Sequence, residues 1–294
     1  MKLVAFTERD RPSNTHFRIG ALLDEETIAD LTPSVLPQGL AASEILRVYD
    51  LNTNFVPLAI EAINFGELRT FRKSEVTLAA PIPRPGKIIC IGLNYRNHAI
   101  ESGMEIPSSP IIFSKFVNCV AAPNEPILLP EGSEKVDFEA ELAVVIGRRA
   151  KNVSLEDAMD HVFGYTNFND VSARDMQFAD GQWQRGKSCD TFAPFGETVV
   201  TKDEIPDPHN LRIQFRLNGE TMQDSTTREL IFDIPAIIEF LSRSVTLEPG
   251  DIIATGTPPG VGFARKPPIF LKDGDVCEIE IEGLGVLSNP VKGN

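Results

Sequence analysis

The sequence predicts a mainly β protein with some α-helix, an α+β fold in two parts: a small N-terminal domain (residues 1–80) and a larger domain (residues 81–294). The apolar stretch Val136–Gly147 is typical of a buried strand, and strand patterns with few helices fill the last third. The cluster Pro81–Gly86, PIPRPG, is a stiff breaker between the two parts. These observations predict the fold class and the domain boundary.

The small N-terminal domain is predicted to combine a hairpin with two helices. His16–Leu23 and Thr27–Leu31 have strand patterns on either side of an acidic turn, Asp24-Glu25-Glu26. Ala42–Tyr49 and Val56–Phe65 follow with the apolar spacing that is typical of helices. The unit is therefore expected to be α+β and self-contained.

The larger domain is predicted to be rich in strands. Lys87–Ile91 is expected to be a short buried strand, and Leu211–Leu217 alternates cleanly before Asn218-Gly219, which is a hairpin turn signal. Ile234–Ser242 has the period of a helix. Further strands are predicted within Leu247–Thr257 and, as a closing hairpin, at Val276–Ile281 and Leu284–Leu287.

Composition and charge exclude several classes of protein. An apolar content of 42% and a charged content of 24% are ordinary for a soluble globular protein. The net charge of −14 argues against nucleic acids and anionic membranes as partners. No apolar run approaches the roughly 20 residues of a membrane helix, and the first residues lack the apolar core of a signal peptide. A cytoplasmic protein is expected, or a mitochondrial matrix protein if a cleaved presequence precedes this sequence.

The cysteines and histidines do not form the patterns of disulfide or zinc proteins. The four cysteines are far apart and include no CxxC pair, which argues against a disulfide framework and a zinc ribbon. The four histidines form no HExxH or HxH motif, so zinc and redox metals have few ligands here.

Two carboxylates lie on one face of the predicted strand Val136–Gly147. With a rise of about 3.3 Å per residue, the Cα atoms of Glu139 and Glu141 would lie roughly 6–7 Å apart. Two buried like charges repel each other and are costly to desolvate, so a hard divalent cation is expected to compensate them. The alternative is a solvated sheet face with two surface glutamates. The apolar neighbours on the strand and the polar residues downstream favour the metal site.

A histidine and a glutamate share one face of a predicted helix. Tyr95–Ser102 is predicted to be helical, which places His98 and Glu101 three residues apart on one side. A histidine that is hydrogen-bonded to a carboxylate gains basicity and a fixed tautomer, as a water-activating base requires. The alternative is an exposed helical turn with a chance pair.

Several polar residues, beginning with Asp170, follow an apolar predicted strand. This aspartate stands at a strand end, where catalytic ligands commonly lie, although turn formation would explain it as well. Ser172 is predicted to cap a following helix, with Asp175 three residues on. Arg174 and Gln177, four and seven residues after Asp170, would face the same side of that helix.

Gly181–Ser188, GQWQRGKS, matches the phosphate-loop pattern GxxxxGK[ST]. The pattern binds nucleotides only between a buried strand and a helix N-terminus. Here a polar helical segment precedes it and no helical period follows, so nucleotide hydrolysis is not expected. Lys187 stays of interest because it leads into an aromatic-lined segment, where a desolvated lysine could act in proton transfer.

The loop Thr257–Gly262, TPPGVG, cannot be regular structure. Its backbone N–H groups and the Thr257 hydroxyl are therefore expected to be free to meet a ligand. The alternative is a rigid turn with no role in binding.

With these segments assembled, the sequence resembles the fumarylacetoacetate hydrolase family, in particular its longer domain-containing members. The resemblance covers about residues 85–292 and rests on six segments in the family's order: GLNYRNHAIE, FEAELAVVIG, NDVSARDMQ, RGKSCDTF, NGE and GDIIATGTPPGVG. It implies that the larger domain is the catalytic domain, with the family's distorted β-sandwich or roll of mixed sheets. It also implies a homodimer formed through that domain.

The resemblance further implies the roles of individual residues toward a small 2-oxo acid substrate. The protein ligands of a Mg²⁺ or Mn²⁺ ion would be Glu139, Glu141 and Asp170. The catalytic residues would be His98, Glu101 and Lys187. The substrate-binding residues would be Arg174, Gln177 and Thr257. In this scheme the dyad of His98 and Glu101 activates water from a lid segment, Lys187 lies beside the developing enolate, and Thr257 binds the substrate carboxylate.

Three functions remain open, of which the first is favoured because both dyad residues are present. The first is hydrolysis of a C–C bond in an acylpyruvate-type 2,4-dioxo acid, through an enolate that the metal stabilises. The second uses the same metal site without water attack, for keto–enol tautomerisation or decarboxylation of oxaloacetate. Activity would then survive the loss of His98 but depend on Lys187. The third is a metal- or metabolite-binding protein without catalysis, and the dyad and Lys187 argue against it.

Overall fold

Strands dominate the structure, a computed structural model that describes residues 1–10, 16–35, 40–41 and 44–293. The strands in chain order are β1 (Lys2–Glu8), β2 (His16–Leu22), β3 (Thr27–Asp30), β4 (Leu40–Ala41), β5 (Thr70–Arg72), β6 (Val76–Ala79), β7 (Ile88–Gly92), β8 (Ile111–Lys115), β9 (Val120–Ala121), β10 (Ile127–Leu128), β11 (Val136–Asp137), β12 (Ala140–Ile146), β13 (Val162–Asn169), β14 (Ser172–Ala173), β15 (Ala193–Pro194), β16 (Val199–Thr201), β17 (Arg212–Leu217), β18 (Glu220–Thr226), β19 (Ile252–Ala254), β20 (Val276–Ile281) and β21 (Gly285–Lys292).

The α-helices are short, and most have one or two turns. They are α1 (Thr32–Val35), α2 (Phe55–Phe65), α3 (Arg96–Glu101), α4 (Arg174–Gln177), α5 (Gln184–Lys187) and α6 (Ile234–Ser244). Segments of 3₁₀ helix lie at Ile45–Tyr49, Lys73–Glu75, Val117–Cys119, Ala158–His161, Lys202–Glu204, Thr227–Glu229 and Gly262–Ala264. Within the described ranges, no helix has both the length and the apolar character that crossing a bilayer requires. The predicted fold class, mainly β with some α, is confirmed.

Twelve of the described strands form one large sheet. Its order is β5-β3-β2-β1-β16-β13-β12-β19-β7-β8, with β4 beside β2 and β6 beside β1. β12 lies between β13 and β19 and runs antiparallel to both. Every residue of β12 and of β13 is buried, so both faces of the sheet are covered at this point. The ends of these two strands are where the candidate site residues are found.

The predicted strand Val136–Gly147 is interrupted, which corrects the sequence prediction. β11 pairs with β14 in a separate two-stranded sheet, and β12 begins only at Ala140. The two residues between them leave the ladder because their backbone N–H groups bond to side chains. Phe138 N donates to Asp137 Oδ1 at 2.9 Å, and Glu139 N donates to Asn169 Oδ1 at 3.1 Å. Glu139 and Glu141 therefore do not belong to one regular strand.

A second sheet packs beside this interruption, in the order β10-β21-β20-β17-β18. The predicted hairpins are confirmed: β20 pairs with β21, and Asn218 (φ 54°) and Gly219 (φ 83°) connect β17 to β18. Two positive φ values are what a type I′ hairpin turn requires. Phe215 of β17 stacks on Phe138 with ring centroids 4.1 Å apart, which ties this sheet to the segment carrying Glu139.

The N-terminal region contributes strands to the large sheet. The predicted hairpin forms from β2 and β3, and α2 matches the predicted helix at Val56–Phe65. The predicted helix Ala42–Tyr49 begins outside the described residues, and its described part, Ile45–Tyr49, is 3₁₀ helix. β1 pairs with β16, with Leu3 opposite Val199, so the region shares a continuous sheet with the rest of the chain instead of closing on itself. The domain boundary after residue 80 stays a prediction.

Candidate active site

Three carboxylates converge where β12 begins and β13 ends. Glu139 immediately precedes β12, Glu141 is its second residue, and Asp170 immediately follows β13. One oxygen from each lies within 4.8 Å of the others. The three residues are only 5%, 1% and 0% exposed, so the alternative of a solvated sheet face is wrong. The antiparallel pairing of Ala140 with Asn169 places the two strand ends side by side.

Two buried lysines and an arginine lie against these carboxylates. Lys187 Nζ is 2.8 Å from both Glu139 Oε2 and Asp170 Oδ2. Lys115 Nζ donates to Asp170 Oδ1 at 2.5 Å and to the Val171 carbonyl at 3.0 Å. Arg174 Nη2 is 2.7 Å from Glu139 Oε1. Glu141 differs from its neighbours, because the partner that the structure gives it is a backbone group, Gly256 N, at 2.8 Å.

The pKa shifts follow this uneven distribution of charge. Burial alone would raise the pKa of Glu139, but the Lys187 ammonium and the Arg174 guanidinium hold that pKa well below its usual range. Burial, together with the Asp170 and Glu139 carboxylates, raises the pKa of Glu141 well above its usual range. For Lys187, burial acts to lower the pKa, yet the two carboxylates outweigh burial and raise it. Lys187 is therefore held as an ammonium ion and not as a neutral base.

The donor set fits a hard divalent cation. The cluster offers three carboxylates, and neither histidine nor cysteine belongs to it, which is the ligand chemistry that Mg²⁺ and Mn²⁺ prefer. A cation would also supply the positive charge that Glu141 lacks.

The four cysteines are unpaired thiols, in agreement with the prediction of no disulfide framework.

The predicted dyad is formed on helix α3. His98 Nδ1 lies 2.7 Å from Glu101 Oε1, and both Glu101 oxygens accept from Gly260 N, at 3.1 and 2.9 Å. His98 is only 6% exposed, so the alternative of an exposed helical turn is wrong. If Nδ1 carries the proton that Glu101 accepts, Nε2 keeps its lone pair, as a general base requires.

Arg174 and Gln177 are brought together in α4, although the predicted cap is wrong. Arg174 Nη1 donates to Gln177 Oε1 at 3.0 Å. Ser172 belongs to β14 and its hydroxyl donates to the Asp170 carbonyl at 2.8 Å, while the helix begins at Arg174. The Asp175 carboxylate accepts instead from Ser133 Oγ and Glu134 N, at 2.7 and 2.9 Å. The serine was therefore misassigned because its hydroxyl supports the turn after β13 and not the helix.

The Thr257 hydroxyl is engaged within the protein, which corrects the prediction that it is free. The Thr257 hydroxyl donates to the Ala140 carbonyl at 2.9 Å and accepts from Gln223 Nε2 at 2.8 Å. Because its proton is already donated, it cannot donate to a substrate carboxylate in this arrangement. Backbone N–H groups of residues 256–262 donate to site carboxylates instead: Gly256 N donates to Glu141, and Gly260 N donates to Glu101.

These residues line a small cavity of about 40 Å³ that is partly open to solvent. Seven of the nine predicted site residues line it: His98, Glu139, Glu141, Arg174, Gln177, Lys187 and Thr257. Glu101 and Asp170 lie behind the wall, bonded to His98 and Lys187. The wall also contains aromatic side chains, among them Phe113, whose ring centroid lies 4.8 Å from Lys187 Nζ. The segment Gly181–Ser188, which matches the phosphate-loop pattern, contains helix α5, and this helix ends at Lys187. The pattern is therefore not followed by the helix that a phosphate loop requires.

Two buried residues of the site were missed in the sequence. Asp137 binds Arg174 Nε at 2.9 Å and accepts from Gly262 N and Phe263 N at 2.8 and 3.1 Å. Its position two residues before Glu139 continues the period of two, and that signal was available. Lys115 ends an apolar strand, and nothing in its spacing indicates a contact with Asp170.

The fold and the site agree with known proteins. A family model for the C-terminal region of fumarylacetoacetate hydrolase matches residues 87–292. The chain belongs to the fumarylacetoacetate hydrolase family. It is 47% identical over 294 residues to the Xenopus laevis protein named oxaloacetate tautomerase fahd2, mitochondrial, covering 99% of this chain and 90% of the relative. The predicted family fold and enzyme class are confirmed.

Solved structures of the family cover the entire chain. Fumarylacetoacetate hydrolase from Exiguobacterium antarcticum is 35% identical, with a TM-score of 0.85 and coverage of 100% of both chains. Maleylpyruvate hydrolase from Sphingobium sp. SYK-6, solved in complex with manganese(II) and pyruvate, is 32% identical, with a TM-score of 0.79 and coverage of 100% of both chains. This protein is thus an enzyme of a family that includes both tautomerases and hydrolases.

Proposed function

We propose that this enzyme is a divalent-metal-dependent keto–enol tautomerase of oxaloacetate. The observation that carries the proposal is the buried group of Glu139, Glu141 and Asp170, with the Lys187 ammonium 2.8 Å from two of them. An enolate needs a positive centre and a nearby proton donor, and this group provides both. The name of the frog relative, which is 47% identical, supports tautomerisation over the hydrolysis that the sequence favoured.

The metal would be held by Glu139, Glu141 and Asp170. When bound, it would act as a Lewis acid that stabilises negative charge on the oxygen of an enolate. Both Mg²⁺ and Mn²⁺ suit three carboxylates, and the manganese complex of the maleylpyruvate hydrolase supports a divalent ion of this kind.

Lys187 would carry the proton between the two tautomers. Its pKa is raised by Asp170 and Glu139 despite burial, so it enters the reaction charged and can donate to the carbon or the oxygen of the enolate. Two hydrogen bonds of 2.8 Å fix its Nζ atom. Phe113 and Trp183 meet edge to face beside it and help to exclude water that would compete for the proton.

Gln177 would orient the substrate through its amide nitrogen. Its Oε1 atom accepts from Arg174 Nη1, which leaves the NH₂ group to donate to a carboxylate in the cavity. Arg174 is bonded to Asp137 and Glu139, and its guanidinium lies 4.4 Å from the centre of the Phe263 ring. It would therefore act mainly by holding Gln177. Thr257 would contribute to the wall and, for the reason given above, would bind a carboxylate only after its hydroxyl had turned.

The dyad of His98 and Glu101 favours a second candidate function, C–C hydrolysis of an acylpyruvate. His98 Nδ1 is 2.7 Å from Glu101, and Gly260 N fixes the carboxylate, which is an arrangement suited to activating water. In a tautomerase that step is absent, and the dyad would serve to close the cavity.

A proton NMR time course separates the two candidates. With Mg²⁺ present, the wild type is expected to accelerate conversion of freshly dissolved enol-oxaloacetate to the keto form, and to leave acetylpyruvate intact. His98→Ala should stay within about tenfold of the wild type, whereas Lys187→Met should lose roughly 10²–10³ of the rate, the size of a general acid–base contribution. Lys272→Met, which removes an exposed lysine, is the control. Acetate and pyruvate from acetylpyruvate, lost in His98→Ala, would make the enzyme a hydrolase.

The remaining expectations concern where the enzyme acts and with what. The frog relative is named as mitochondrial, which supports the mitochondrial matrix over the cytoplasm for this enzyme. Its partners are expected to be small 2-oxo acids and a second copy of the chain. Cell fractionation and light scattering of the purified protein test these two expectations.

A further inference from the structure

The cavity contains one hydroxyl group that the structure leaves without a partner. Ser102 Oγ is buried and makes no hydrogen bond with any described residue. It lines the same cavity as Glu139, Glu141 and Lys187. Buried polar groups in folded proteins are nearly always hydrogen-bonded, so an exception in a cavity wall points to a ligand.

The other polar side chains of the wall already have partners. His98 is bonded to Glu101, and Thr257 to Ala140 and Gln223. The charged groups are paired with one another or with backbone, as described above, and Gln177 is bonded through its Oε1 atom. Among the hydroxyl groups of this wall in the described ranges, Ser102 is therefore the one with a proton to donate and no acceptor in the protein.

The backbone at Ser102 is fixed by the end of helix α3. Gly103 N donates to the Ile100 carbonyl at 3.1 Å, and Met104 N donates to the Ala99 carbonyl at 3.0 Å. Gly103 has a φ of +67°, and this combination is the Schellman motif that ends many helices. Ser102 is the last residue before the glycine, so its hydroxyl is presented from a defined position and not from a loose loop.

Ser102 reaches the cavity from a different element of the fold than the carboxylates do. Glu139, Glu141 and Asp170 come from the ends of buried strands, whereas Ser102 follows the dyad on α3, beside Met104 in the wall. With a cation held by these carboxylates, a 2-oxo acid would place its own carboxylate and oxo group toward that cation. The group at the far end of the substrate would then reach Ser102.

We propose that Ser102 selects substrates with a second carboxylate, by donating a hydrogen bond from Oγ to the carboxylate distal to the 2-oxo group. The inference rests on the proposed function and names the class of substrate, a four-carbon 2-oxo diacid. Pyruvate is the matched comparison, because it is oxaloacetate without that distal carboxylate.

The test measures binding, not turnover. The Mg²⁺-loaded enzyme is titrated in a calorimeter with pyruvate and with freshly dissolved oxaloacetate, in the wild type and in Ser102→Ala. The variant should bind oxaloacetate about tenfold more weakly, the effect of one hydrogen bond to a charged group, and should bind pyruvate as the wild type does. Ser102→Thr, which keeps the hydroxyl, should keep the preference. Ser108→Ala, which changes an exposed serine of the same segment, should leave both affinities unchanged.

The results separate this inference from the proposed function. Equal weakening of both ligands in Ser102→Ala, or of neither, would overturn the role of Ser102. A wild type that binds oxaloacetate no more tightly than pyruvate would overturn it too. Selective binding without any acceleration of tautomerisation would uphold Ser102 and contradict the proposed function alone.

Discussion

The two sides of the cavity are built in different ways. One side, here termed the floor, consists of Glu139, Glu141 and Asp170 at the ends of β12 and β13, where every strand residue is buried. The other side, termed the lid, consists of α3 and the segment 102–110 that follows it. On the lid, Ile100 is 64% exposed and Ile106 is 41% exposed, so part of its apolar surface faces solvent.

This difference leads us to expect that the floor is rigid and that the lid moves more readily. Opening the floor would expose the central sheet, so its local stability should approach that of the whole molecule. The lid exposes apolar side chains such as Ile100 and Ile106, so we expect it to open as a unit at lower cost. We therefore expect the reaction to depend on the floor and the choice of substrate to depend on the lid.

The loop 256–262 connects the two sides. Gly256 N donates to Glu141 on the floor at 2.8 Å, and Gly260 N donates to Glu101 on the lid at 2.9 and 3.1 Å. A backbone stretch of five residues, 256–260, thus links the metal-ligand candidate Glu141 to the dyad. We expect changes to the floor to have the largest effect on activity and stability. Changes to the loop 256–262 should have a smaller effect, and changes of pH the smallest.

The largest effect is expected from Asp170→Asn on the floor. Asp170 accepts from Lys115 at 2.5 Å and from Lys187 at 2.8 Å, so the variant leaves two buried ammonium groups short of negative charge. Breaking a buried ion pair in this way costs about 3–5 kcal/mol. We expect loss of Mg²⁺ binding in calorimetry, a rate lower by roughly 10³, and a lower melting temperature.

The control for this variant is Asp180→Asn, which changes an exposed carboxylate. It should leave metal binding and melting unchanged. If Asp170→Asn bound Mg²⁺ as tightly as the wild type, the floor would not be the metal site, and the comparison between floor and lid would lose its basis.

The floor was more predictable from the sequence than its surroundings. Glu139 and Glu141 stand out because carboxylates in an apolar run demand compensation, and Asp170 because it follows the next strand. The break before β12 was not predictable, since it depends on Asn169, which accepts from Glu139 N across the sheet. Ser172 was assigned wrongly because its hydroxyl donates locally, to the carbonyl of Asp170, in place of capping the helix. Lys115 lies 55 residues from its partner Asp170, and no local pattern encodes that contact.

The lid and the loop 256–262 were also only partly predictable, because local patterns reveal helices and spacings but not contacts between distant residues. The helix and the spacing of His98 and Glu101 follow from local periodicity, which a sequence displays directly. The assignment of Thr257 as a free hydroxyl failed because its partners, Ala140 and Gln223, are distant in the chain. Irregular backbone is free to meet a ligand only if the fold has left its groups unpaired, and that is a property of tertiary structure.

A smaller effect is expected from Gly260→Ala in the link. Gly260 has a φ of +106°, and a Cβ atom there would lie 2.2 Å from the Met222 carbonyl oxygen, so the backbone must move. The bond from Gly260 N to Glu101 should weaken and free the lid. We expect a rate about tenfold lower and faster hydrogen exchange in α3, with Mg²⁺ affinity unchanged within about twofold, because the floor is not touched.

Gly274→Ala is the matched control for that variant. Gly274 also has a positive φ, +87°, but a Cβ atom there meets nothing within 4 Å, so it measures backbone strain without the clash. It should cost about 1 kcal/mol of stability and leave activity intact. Equal losses of activity in the two variants would mean that general strain, and not the link to Glu101, controls the lid.

The smallest effect concerns the pH dependence of stability in the metal-free enzyme. Burial and the neighbouring carboxylates raise the pKa of Glu141 well above its usual range, so the unfolded chain gives up this proton at a lower pH than the folded chain does. Its contribution to stability is therefore fully present below a pH of about 4.5 and is lost as the pH rises toward the folded pKa. The contribution of Glu139 to stability has the opposite pH dependence, because its pKa is lowered. That contribution is present above a pH of about 4.5 and is lost only as the pH falls below this value.

We therefore expect the melting temperature of the metal-free enzyme to fall between about pH 5 and pH 8, by a few degrees, since 1 kcal/mol corresponds to about 2–4 °C at this chain length. Glu141→Gln should remove most of this fall, as the amide does not titrate. Saturating Mg²⁺ should also remove this fall in melting temperature in the wild type, because the cation supplies the positive charge that the Glu141 carboxylate lacks. In Glu141→Gln, Mg²⁺ should leave the pH profile of the melting temperature unchanged. A wild-type profile that is flat without metal, or one that Mg²⁺ leaves unchanged, would show that Glu141 is compensated by the protein itself.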